Sequence, residues 1–598
     1  MKNLDFAATT IKGGFWGYYS NLVRKKTVNA VYQRFLETGR FDAFRCDWRE
    51  GMENKPHIYW DSDIAKWIEG VAYLCEKGRE PELEAIADAV IAQIEKNQRE
   101  DGYYNSYFLA VEPHNAFQNR SAHELYCTGH LIEAAIAYHK ATGKEALLRC
   151  MLKNVDLIYR IFLEDGSAAF VTPGHEEIEL ALIRLYRYTG EEKHLQLARF
   201  FINERGKHEK DRVPGYAPEQ HQDHLPVREM CEAKGHAVRA GYLYTAMAML
   251  AKNDGDVELL EACHRILDDI LRCKISITGG VGGTHRGEAF ADPYELPNRM
   301  AYNETCAAIA LAMFAGELQQ SKADRRYGDL IERILYNGFL SGLSLDGEKF
   351  FYANALEIER GRHEEKSKYQ RFERAKVFSC SCCPPNVVRF LASVSRYMYT
   401  VKDDIVWCNQ FADAETALVI NGEHGVLRLE TEYPLSGKLR FTYRGKHPIR
   451  LRVRIPAWCV EYAGEQRNGY AEFTLADNGG VEIDLPMQVH FIESNPRVQD
   501  NAGRVAVMRG PLVYCMESVD NGELLRSIML RGKADVKVCF EDWLPAPTLL
   551  FSAERCEDTD ALYRIKSDRA IGFSAKMIPY FAFANRGLSD MLIWTMIK

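Results

Sequence analysis

The sequence predicts an α+β protein in which a double ring of twelve helices precedes antiparallel β-domains. From about residue 21 to residue 400, apolar residues recur at helical spacing in twelve amphipathic segments. After Thr400 the apolar period changes to two, as in residues 426–432 and 449–455, which is typical of half-buried antiparallel strands. The helical segments are predicted to begin near Asn21, Asp61, Pro81, His123, Lys144, His175, Glu191, Glu232, Asp256, Tyr302, Tyr327 and Pro384.

The connections between these helices alternate in length. Short glycine-containing turns occupy residues 77–80, 142–145, 189–192 and 253–256, and glycine just after a helix is a common stop signal. The opposite connections are longer, at residues 101–107, 170–175, 213–230 and 278–288. If the hairpins run up and down, the long loops and the starts of every second helix lie on one rim. Twelve helices closing into a double ring would place that rim around a central funnel.

The predicted β-domains occupy the C-terminal third of the chain. We expect one β-sandwich over residues 401–504 and a second over residues 505–598, after a helical domain at residues 11–400. Residues 1–10 are expected to add a strand to one of the sandwiches. Few potential ligands, acids or bases follow residue 400, so a packing role is predicted for this part.

Composition limits the classes of function. The 598 residues are 46% hydrophobic and 27% charged with a net charge of −8, which gives no reason to expect nucleic acid as a partner. The sequence has no unbroken apolar run that would span a bilayer and no apolar signal core at its N-terminus. We therefore expect no membrane partner, a cytoplasmic location and mostly reduced thiols among the 16 cysteines.

Three cysteines, Cys380, Cys382 and Cys383, lie within four positions, and two prolines follow them. Proline suits the first turn of a helix, so Cys382 and Cys383 are predicted at a helix start, where the helix dipole favours thiolate. Adjacent cysteines do not bridge each other easily. Metal binding is the more natural use, and the alternative is a pair of small buried residues.

Glu304 and Cys306 form a second candidate pair at another predicted helix start. Together with Cys382 and Cys383 they offer one carboxylate and three thiolates, a set for which zinc is the commonest ion. The alternative is a capping glutamate and a core cysteine.

Further polar and aromatic groups are expected on the same rim. Glu288 follows a glycine-rich loop and is a candidate acid/base, although most glutamates are solvated surface charges. Histidines at equivalent helix starts suit a polyhydroxyl ligand, although a single such histidine is more often structural; they are His123, His175 and His236. Aromatic residues near the rim suit sugar stacking, although aromatics are more often core; they are Trp16, Trp60, Tyr103, Tyr104 and Tyr352.

Four motifs together resemble the β-L-arabinofuranosidase family of glycoside hydrolases, family 127. They are Gly-Glu-Ala-Phe at residues 287–290, Tyr-Glu-Leu-Pro-Asn at 294–298, Tyr-Asn-Glu-Thr-Cys at 302–306 and Cys-Cys-Pro-Pro-Asn at 382–386. The resemblance implies an (α/α)6 barrel followed by C-terminal β-sandwich domains, with zinc bound by Glu304, Cys306, Cys382 and Cys383. It also implies Cys382 as nucleophile and Glu288 as acid/base of a retaining exo-glycosidase that releases terminal β-L-arabinofuranose. Residues that resemble substrate contacts are His123, His175, His236 and Tyr352, while Cys380 resembles a neighbouring cysteine that is not a principal ligand.

Two other functions stay open at this point. A sugar epimerase on the same barrel would use His175 and His236 to move a proton, and a carbohydrate-binding protein would hold a structural zinc without turnover. In each case the expected partner is a small oligosaccharide or glycoside, and a homodimer is possible.

Overall fold

The computed structural model describes residues 1–360, 369–532, 534–556, 558, 560–563, 565 and 570–598. Its N-terminal part is helical, and its C-terminal part consists of β-sheets. The helices of the described residues are α1 (Gly14–Leu22), α2 (Val28–Glu37), α3 (Trp60–Lys77), α4 (Pro81–Asn97), α5 (Ser106–Ala110), α6 (Glu124–Thr142), α7 (Ala146–Tyr159), α8 (Ile178–Thr189), α9 (Glu192–Glu204), α10 (Ala237–Asp254), α11 (Val257–Cys273), α12 (Thr305–Gln319), α13 (Arg325–Arg333), α14 (Cys383–Ala392) and α15 (Ser518–Asn521).

Two kinds of helix explain the periodicity of the sequence. Helices α3, α6, α10 and α12 are buried on nearly all sides, and α12 is almost entirely apolar, as a helix enclosed by other helices must be. Helices α4, α7, α9 and α11 bury one stripe and expose the other, which produces the amphipathic pattern. The burial pattern therefore separates an inner from an outer layer.

The inner helices contact one another in sequence. Helix α3 packs against α6, α6 against α8, α8 against α10, α10 against α12, α12 against α14, and α14 against α3 again. Each of α4, α7, α9, α11 and α13 packs on the inner helix that precedes it in the chain. The short turns end α6, α8 and α10 with Gly143, Gly190 and Gly255 in the left-handed conformation. The N-terminal ends of the inner helices consequently share one side.

The first helix differs from its predicted position. The chain is helical from Gly14, rather than from near Asn21, and passes through a π-helical turn at Val23–Thr27 into α2. Phe15, Trp16 and Tyr19 are buried early in this helix, and their clustered aromatic rings obscure the amphipathic spacing in the sequence.

Twenty strands within the described residues form three sheets. They are β1 (Lys2–Asn3), β2 (Thr9–Ile11), β3 (Glu357–Ile358), β4 (Tyr399–Lys402), β5 (Ile405–Cys408), β6 (Ala414–Ile420), β7 (Glu423–Thr431), β8 (Lys438–Gly445), β9 (Ile449–Arg454), β10 (Tyr470–Leu475), β11 (Gly480–Asp484), β12 (Val489–Ile492), β13 (Arg504–Arg509), β14 (Leu512–Glu517), β15 (Ile528–Leu530), β16 (Lys537–Cys539), β17 (Thr548–Cys556), β18 (Ala570–Pro579), β19 (Met591–Leu592) and β20 (Thr595–Ile597). Two five-stranded sheets have the orders β1-β4-β5-β9-β10 and β11-β8-β7-β6-β2. A ten-stranded sheet has the order β12-β13-β20-β15-β17-β18-β14-β19-β3, with β16 beside β17.

Long-range strand pairs join the two parts of the chain. The N-terminal strand β1 pairs with β4 and β2 pairs with β6, both antiparallel. Strand β3, from the connection between α13 and α14, pairs with β19 near the C-terminus. Within the described part of the chain, no helix combines the length and apolar character needed to cross a membrane. All sixteen cysteines lie in that part and carry free thiols.

Candidate active site and metal centre

A cavity of about 350 Å³ opens at the N-terminal ends of α3, α6, α8, α10, α12 and α14. Its wall includes eight of the nine site residues expected from the sequence, and they are His123, His175, His236, Glu288, Glu304, Cys306, Tyr352 and Cys382. The ninth, Cys383, lies behind Cys382 and is fully buried. Because helix N-termini carry partial positive charge, six of them around one cavity favour anionic side chains there.

Three thiols and one carboxylate converge on one side of this cavity. The Sγ atom of Cys306 lies 3.3 Å from that of Cys383 and 3.6 Å from that of Cys382, and the two adjacent sulfurs are 3.8 Å apart. Oε1 of Glu304 lies 3.4 Å from Sγ of Cys382 and 3.7 Å from Sγ of Cys383. All four ligand atoms are within 4.8 Å of one another, so these residues are able to hold a metal ion.

The cluster fits a tetrahedral ion with sulfur ligands. Metal–sulfur bonds of about 2.3 Å in a tetrahedron place sulfur atoms roughly 3.8 Å apart, close to the separations observed. Oε2 of Glu304 is buried and has no hydrogen-bond partner among the described residues. Burial and the nearby Cys382 and Glu288 raise the pKa of Glu304 well above its usual value, because this site gathers negative charge away from water. A bound cation would relieve that repulsion.

Local sequence explains how these ligands reach the cavity. Cys382 occupies the N-cap of α14, and Pro384 and Pro385 follow in the first turn, as predicted. The loop before Cys382 is fixed by Arg40, whose guanidinium donates to the carbonyls of Phe378 and Ser379. The same guanidinium pairs with the buried Asp63 at 2.9 Å. A buried ion pair therefore supports the cysteine loop.

Glu304 and Tyr352 are positioned by backbone pairing at the start of α12. Glu304 is the N-cap of that helix, and its backbone pairs with Ala353. The backbone N–H of Thr305 donates to the carbonyl of Tyr352 at 2.9 Å. The phenol oxygen of Tyr352 consequently lies 3.5 Å from Sγ of Cys382.

Glu288 lies in the cavity wall beside His236 and close to Glu304. Its Oε2 is 2.9 Å from Nε2 of His236, and carboxylate and imidazole atoms of Glu288, His236 and Glu304 lie within 4.8 Å of one another. Burial alone would raise the pKa of Glu288, but the hydrogen bond and charge of His236, together with Tyr302 and Arg239, outweigh it and lower the pKa. Glu288 has a φ of +53°, a strained backbone conformation of the kind that accumulates at functional sites.

Three histidines follow one another along the wall. The ring centroids of His123 and His175 are 5.5 Å apart, and those of His175 and His236 are 5.6 Å apart. Burial lowers the pKa of all three, to about 3 for His123, which keeps the imidazoles of His123 and His175 neutral, while Glu288 opposes this effect at His236. A neutral imidazole offers one donor and one acceptor, which suits sugar hydroxyl groups.

Sequence reasoning misplaced some aromatic residues. Trp16, Trp60, Tyr103 and Tyr104 are buried and do not line the cavity. Trp16, for example, donates its indole N–H to Tyr336 at 2.7 Å inside the core.

Other cavity residues were not identified from the sequence. Tyr126 and Arg239 stand three residues after His123 and His236 respectively, and both line the cavity. Residues three apart on a helix share a face, so that spacing was the available signal. Tyr216 and Gln220, from the long 213–230 connection, also line the cavity, and no local pattern in that connection indicates their orientation.

The comparisons with known proteins cover both parts of the chain. Residues 8–396 match the model of the β-L-arabinofuranosidase GH127 catalytic domain, and residues 489–596 match that of the glycoside hydrolase family 127 C-terminal domain. A non-reducing end β-L-arabinofuranosidase of Bifidobacterium longum subsp. longum is 34% identical over 590 residues, covering 90% of this chain and 89% of the relative.

Solved structures resemble the whole fold. A GH127 β-L-arabinofuranosidase from Geobacillus stearothermophilus T6 superposes with a TM-score of 0.94 at 37% identity, covering 99% of this chain and all of the other. A GH127 β-arabinofuranosidase superposes with a TM-score of 0.90 at 33% identity, covering 100% of this chain and 98% of the other.

A fold shared over its full length with these enzymes, helical ring and sheets alike, places the protein among the glycoside hydrolases. Within that class the chain belongs to family 127, the β-L-arabinofuranosidase family. The resemblance inferred from the four motifs is thereby confirmed.

Proposed function

We propose that this protein is a retaining exo-glycosidase that releases terminal β-L-arabinofuranose from oligosaccharides or glycans. Cys382 is the nucleophile and Glu288 the acid/base. The observation that carries the proposal is the shared cavity, in which Cys382 belongs to the thiol cluster and Glu288 faces it from the His236 side. Family membership favours this function over the epimerase and the binding protein that the sequence left open.

The ion proposed for the cluster is zinc, held by Glu304, Cys306, Cys382 and Cys383. Three thiolates and one carboxylate suit zinc better than hard cations, which prefer oxygen ligands. When bound, zinc would stabilise the Cys382 sulfur as a thiolate at neutral pH.

The two reacting side chains have complementary tasks. The Cys382 thiolate attacks the anomeric carbon while Glu288 gives its proton to the leaving oxygen, so the glycosidic C–O bond breaks as a C–S bond forms. Glu288 then takes a proton from water, which displaces Cys382 and restores the anomeric configuration. His123, His175, His236 and Tyr352 hold the sugar hydroxyl groups.

Accessibility favours Cys382 over its neighbour as nucleophile. Cys382 is half-buried and lines the cavity, whereas Cys383 is fully buried and does not line it. Cys383 is thus suited to anchor the metal ion while Cys382 faces the sugar.

We infer that the helical part, residues 11–400, is an (α/α)6 barrel and that β-sandwiches follow it. The strand at residues 1–10 is assigned to the first sandwich, and we place the boundary with the second sandwich before β12 instead of between residues 504 and 505. Strand β12 pairs with β13, and the C-terminal family model begins at residue 489, which favours a boundary before β12. The homodimer and the cytoplasmic location stay predictions of the sequence.

Hydrolysis of aryl glycosides tests the proposed function. We expect the enzyme to cleave 4-nitrophenyl β-L-arabinofuranoside at least 100-fold faster than the corresponding α-L-arabinofuranoside and β-D-xyloside, as expected when binding is specific for the transition state. An epimerase would change the configuration of free sugar without releasing nitrophenol, and a binding protein would retain the glycoside unchanged. Either result with the active, metal-loaded protein would contradict the proposal.

A further inference from the structure

The cavity wall carries an aromatic side chain, Tyr216, to which the proposed reaction assigns no role. Tyr216 lines the cavity, but 59% of its surface is exposed. Two aromatic residues deeper in the cavity, Tyr126 and Tyr352, are 5% and 3% exposed, and the half-buried Tyr59 and Tyr369 also line its wall. The ring of Tyr216 is supported at one edge by His221, with ring centroids 5.6 Å apart. Its exposed ring surface therefore lies at the mouth, outside the deep part that surrounds Glu304 and the thiols.

The segment that carries Tyr216 is attached to the loop that carries Glu288. Nε2 of Gln220 donates to the carbonyl of Gly287 at 2.7 Å. The backbone carbonyl of Gln220 accepts from Nη1 of Arg239 at 3.4 Å. Gly287 has a φ of +66°, and a Cβ atom there would lie 2.4 Å from Oε1 of Gln220. The two loops meet closely, which fixes the position of this wall relative to Glu288.

The retaining mechanism determines which part of the substrate lies along this wall. The leaving oxygen must come within hydrogen-bond reach of the acid, Glu288. The nucleophile attacks the opposite face of the sugar, so the rest of the leaving group extends away from Cys382. On the side of the 213–230 connection it therefore passes over Gly287 and Gln220 toward Tyr216, which lines the same cavity.

We propose that Tyr216, Gln220 and Arg239 form a leaving-group subsite, in which Tyr216 stacks against a second sugar ring. This inference rests on the proposed function and adds the residues that hold the sugar of the leaving group. An exposed tyrosine ring offers an apolar face to the C–H side of a sugar, and its hydroxyl remains in water. The amide of Gln220 and the guanidinium of Arg239 offer polar groups to the hydroxyls of that second ring.

The test compares two substrates that differ only in the leaving group. They are a β-L-arabinofuranosyl disaccharide and methyl β-L-arabinofuranoside, each assayed with the full-length metal-loaded enzyme. For Tyr216→Ala we expect the ratio of the two kcat/KM values, disaccharide over methyl glycoside, to fall about tenfold. Tyr216→Phe should restore the ratio because it keeps the ring. Tyr188→Ala is the matched control, since Tyr188 is a partly exposed tyrosine at the opposite end of α8 and should leave the ratio at the wild-type value.

Several outcomes would overturn the subsite. An equal loss of kcat/KM on both substrates in Tyr216→Ala would show a merely structural role. Unchanged kcat/KM values on both substrates would show that the ring is not used. A ratio that falls in Tyr59→Ala instead would place the leaving group on the cysteine side, where the Tyr59 hydroxyl bonds the carbonyl of Ser379. A wild-type enzyme that cleaves neither glycoside would refute the proposed function together with the subsite, whereas the other outcomes refute the subsite alone.

Discussion

The imidazole of His236 and the carboxylate of Glu288 form a pair 2.9 Å apart at the cavity wall. Burial lowers the pKa of His236, and the charge of Glu288 opposes that effect. Burial opposes ionisation of Glu288, but His236, Tyr302 and Arg239 together outweigh it and lower the pKa of Glu288. Because the pKa of each group depends on the charge of the other, a proton bound here is shared by the pair and is not assigned to either residue. The lowered pKa of Glu288 suits the step in which it accepts a proton from water, whereas the proton for the leaving oxygen comes from the Glu288–His236 pair.

Glu288→Gln should impair the first half-reaction according to the leaving group. An amide donates no proton, so cleavage of an alkyl glycoside should fall about 10²–10⁴-fold. A dinitrophenyl glycoside needs little protonation and should lose far less in a burst-resolved glycosylation step. Glu295→Gln is the matched control, because Glu295 is exposed on the same loop and should retain activity. Equal losses on both substrates would show that Glu288 is not the acid.

Cys306→Ser should release the metal ion. Serine replaces a thiolate with a neutral hydroxyl, a poor zinc ligand, and Cys306 contributes one of the central sulfurs of the cluster. Elemental analysis should find about one zinc per wild-type chain and well under half of that in the variant, with activity lost in parallel. Cys263→Ser, at a fully buried cysteine in α11, controls for the loss of a core thiol. Full zinc content in Cys306→Ser would remove this residue from the ligand set.

Glu124 should make the stability of the protein decrease as pH rises. Its buried carboxyl accepts from the Tyr103 hydroxyl at 2.6 Å and the Phe117 N–H at 2.9 Å, and burial raises its pKa to about 7. The folded state therefore holds this proton more tightly than the unfolded state. The resulting stabilisation is complete below the unfolded pKa and is lost as pH rises through about 7.

Glu124→Gln, which does not titrate, should remove that dependence. Between pH 5.5 and 8.5 the wild type should lose about 2 kcal/mol more unfolding free energy than the variant. Denaturant unfolding at both pH values measures the difference, and Glu82→Gln, at an exposed position in α4, is the control. Identical pH dependence in wild type and Glu124→Gln would contradict the prediction.

Local signals predicted the ring of helices and the common rim on which most of the candidate residues lie, whereas their roles followed from the family resemblance. Glycine turns and the residues that begin each helix located the inner helices to within a few residues, and Pro384 and Pro385 located the start of α14. Once alternate helix starts lie on one rim, Glu304 and Cys306 must approach Cys382, although they are far apart in sequence.

Contacts that depend on the closed structure were not predictable in this way. A buried tyrosine such as Tyr104 has the same local pattern as the cavity residue Tyr352, and only the packing of distant elements separates them. The pairing of β3 with β19 is likewise set by neighbours that are remote in the chain. Long connections are hardest to predict, because the 213–230 segment has no period that would indicate which side chains face the cavity.

The last prediction concerns covalent catalysis by Cys382. If its thiolate attacks the anomeric carbon, a haloacetamide derivative of L-arabinose should alkylate Cys382 in the cavity, and free L-arabinose should protect it. Cys231 is exposed and serves as an internal control, because alkylation there does not depend on sugar binding. Mass spectrometry of tryptic peptides locates the adducts.

NMR of the first-formed sugar should show retained configuration, since two displacements at one carbon restore it. Cys382→Ala should lower kcat by at least 10³-fold, as expected when a nucleophile is removed. Inversion at the anomeric carbon, or near-normal turnover by Cys382→Ala, would reduce Cys382 to a metal ligand.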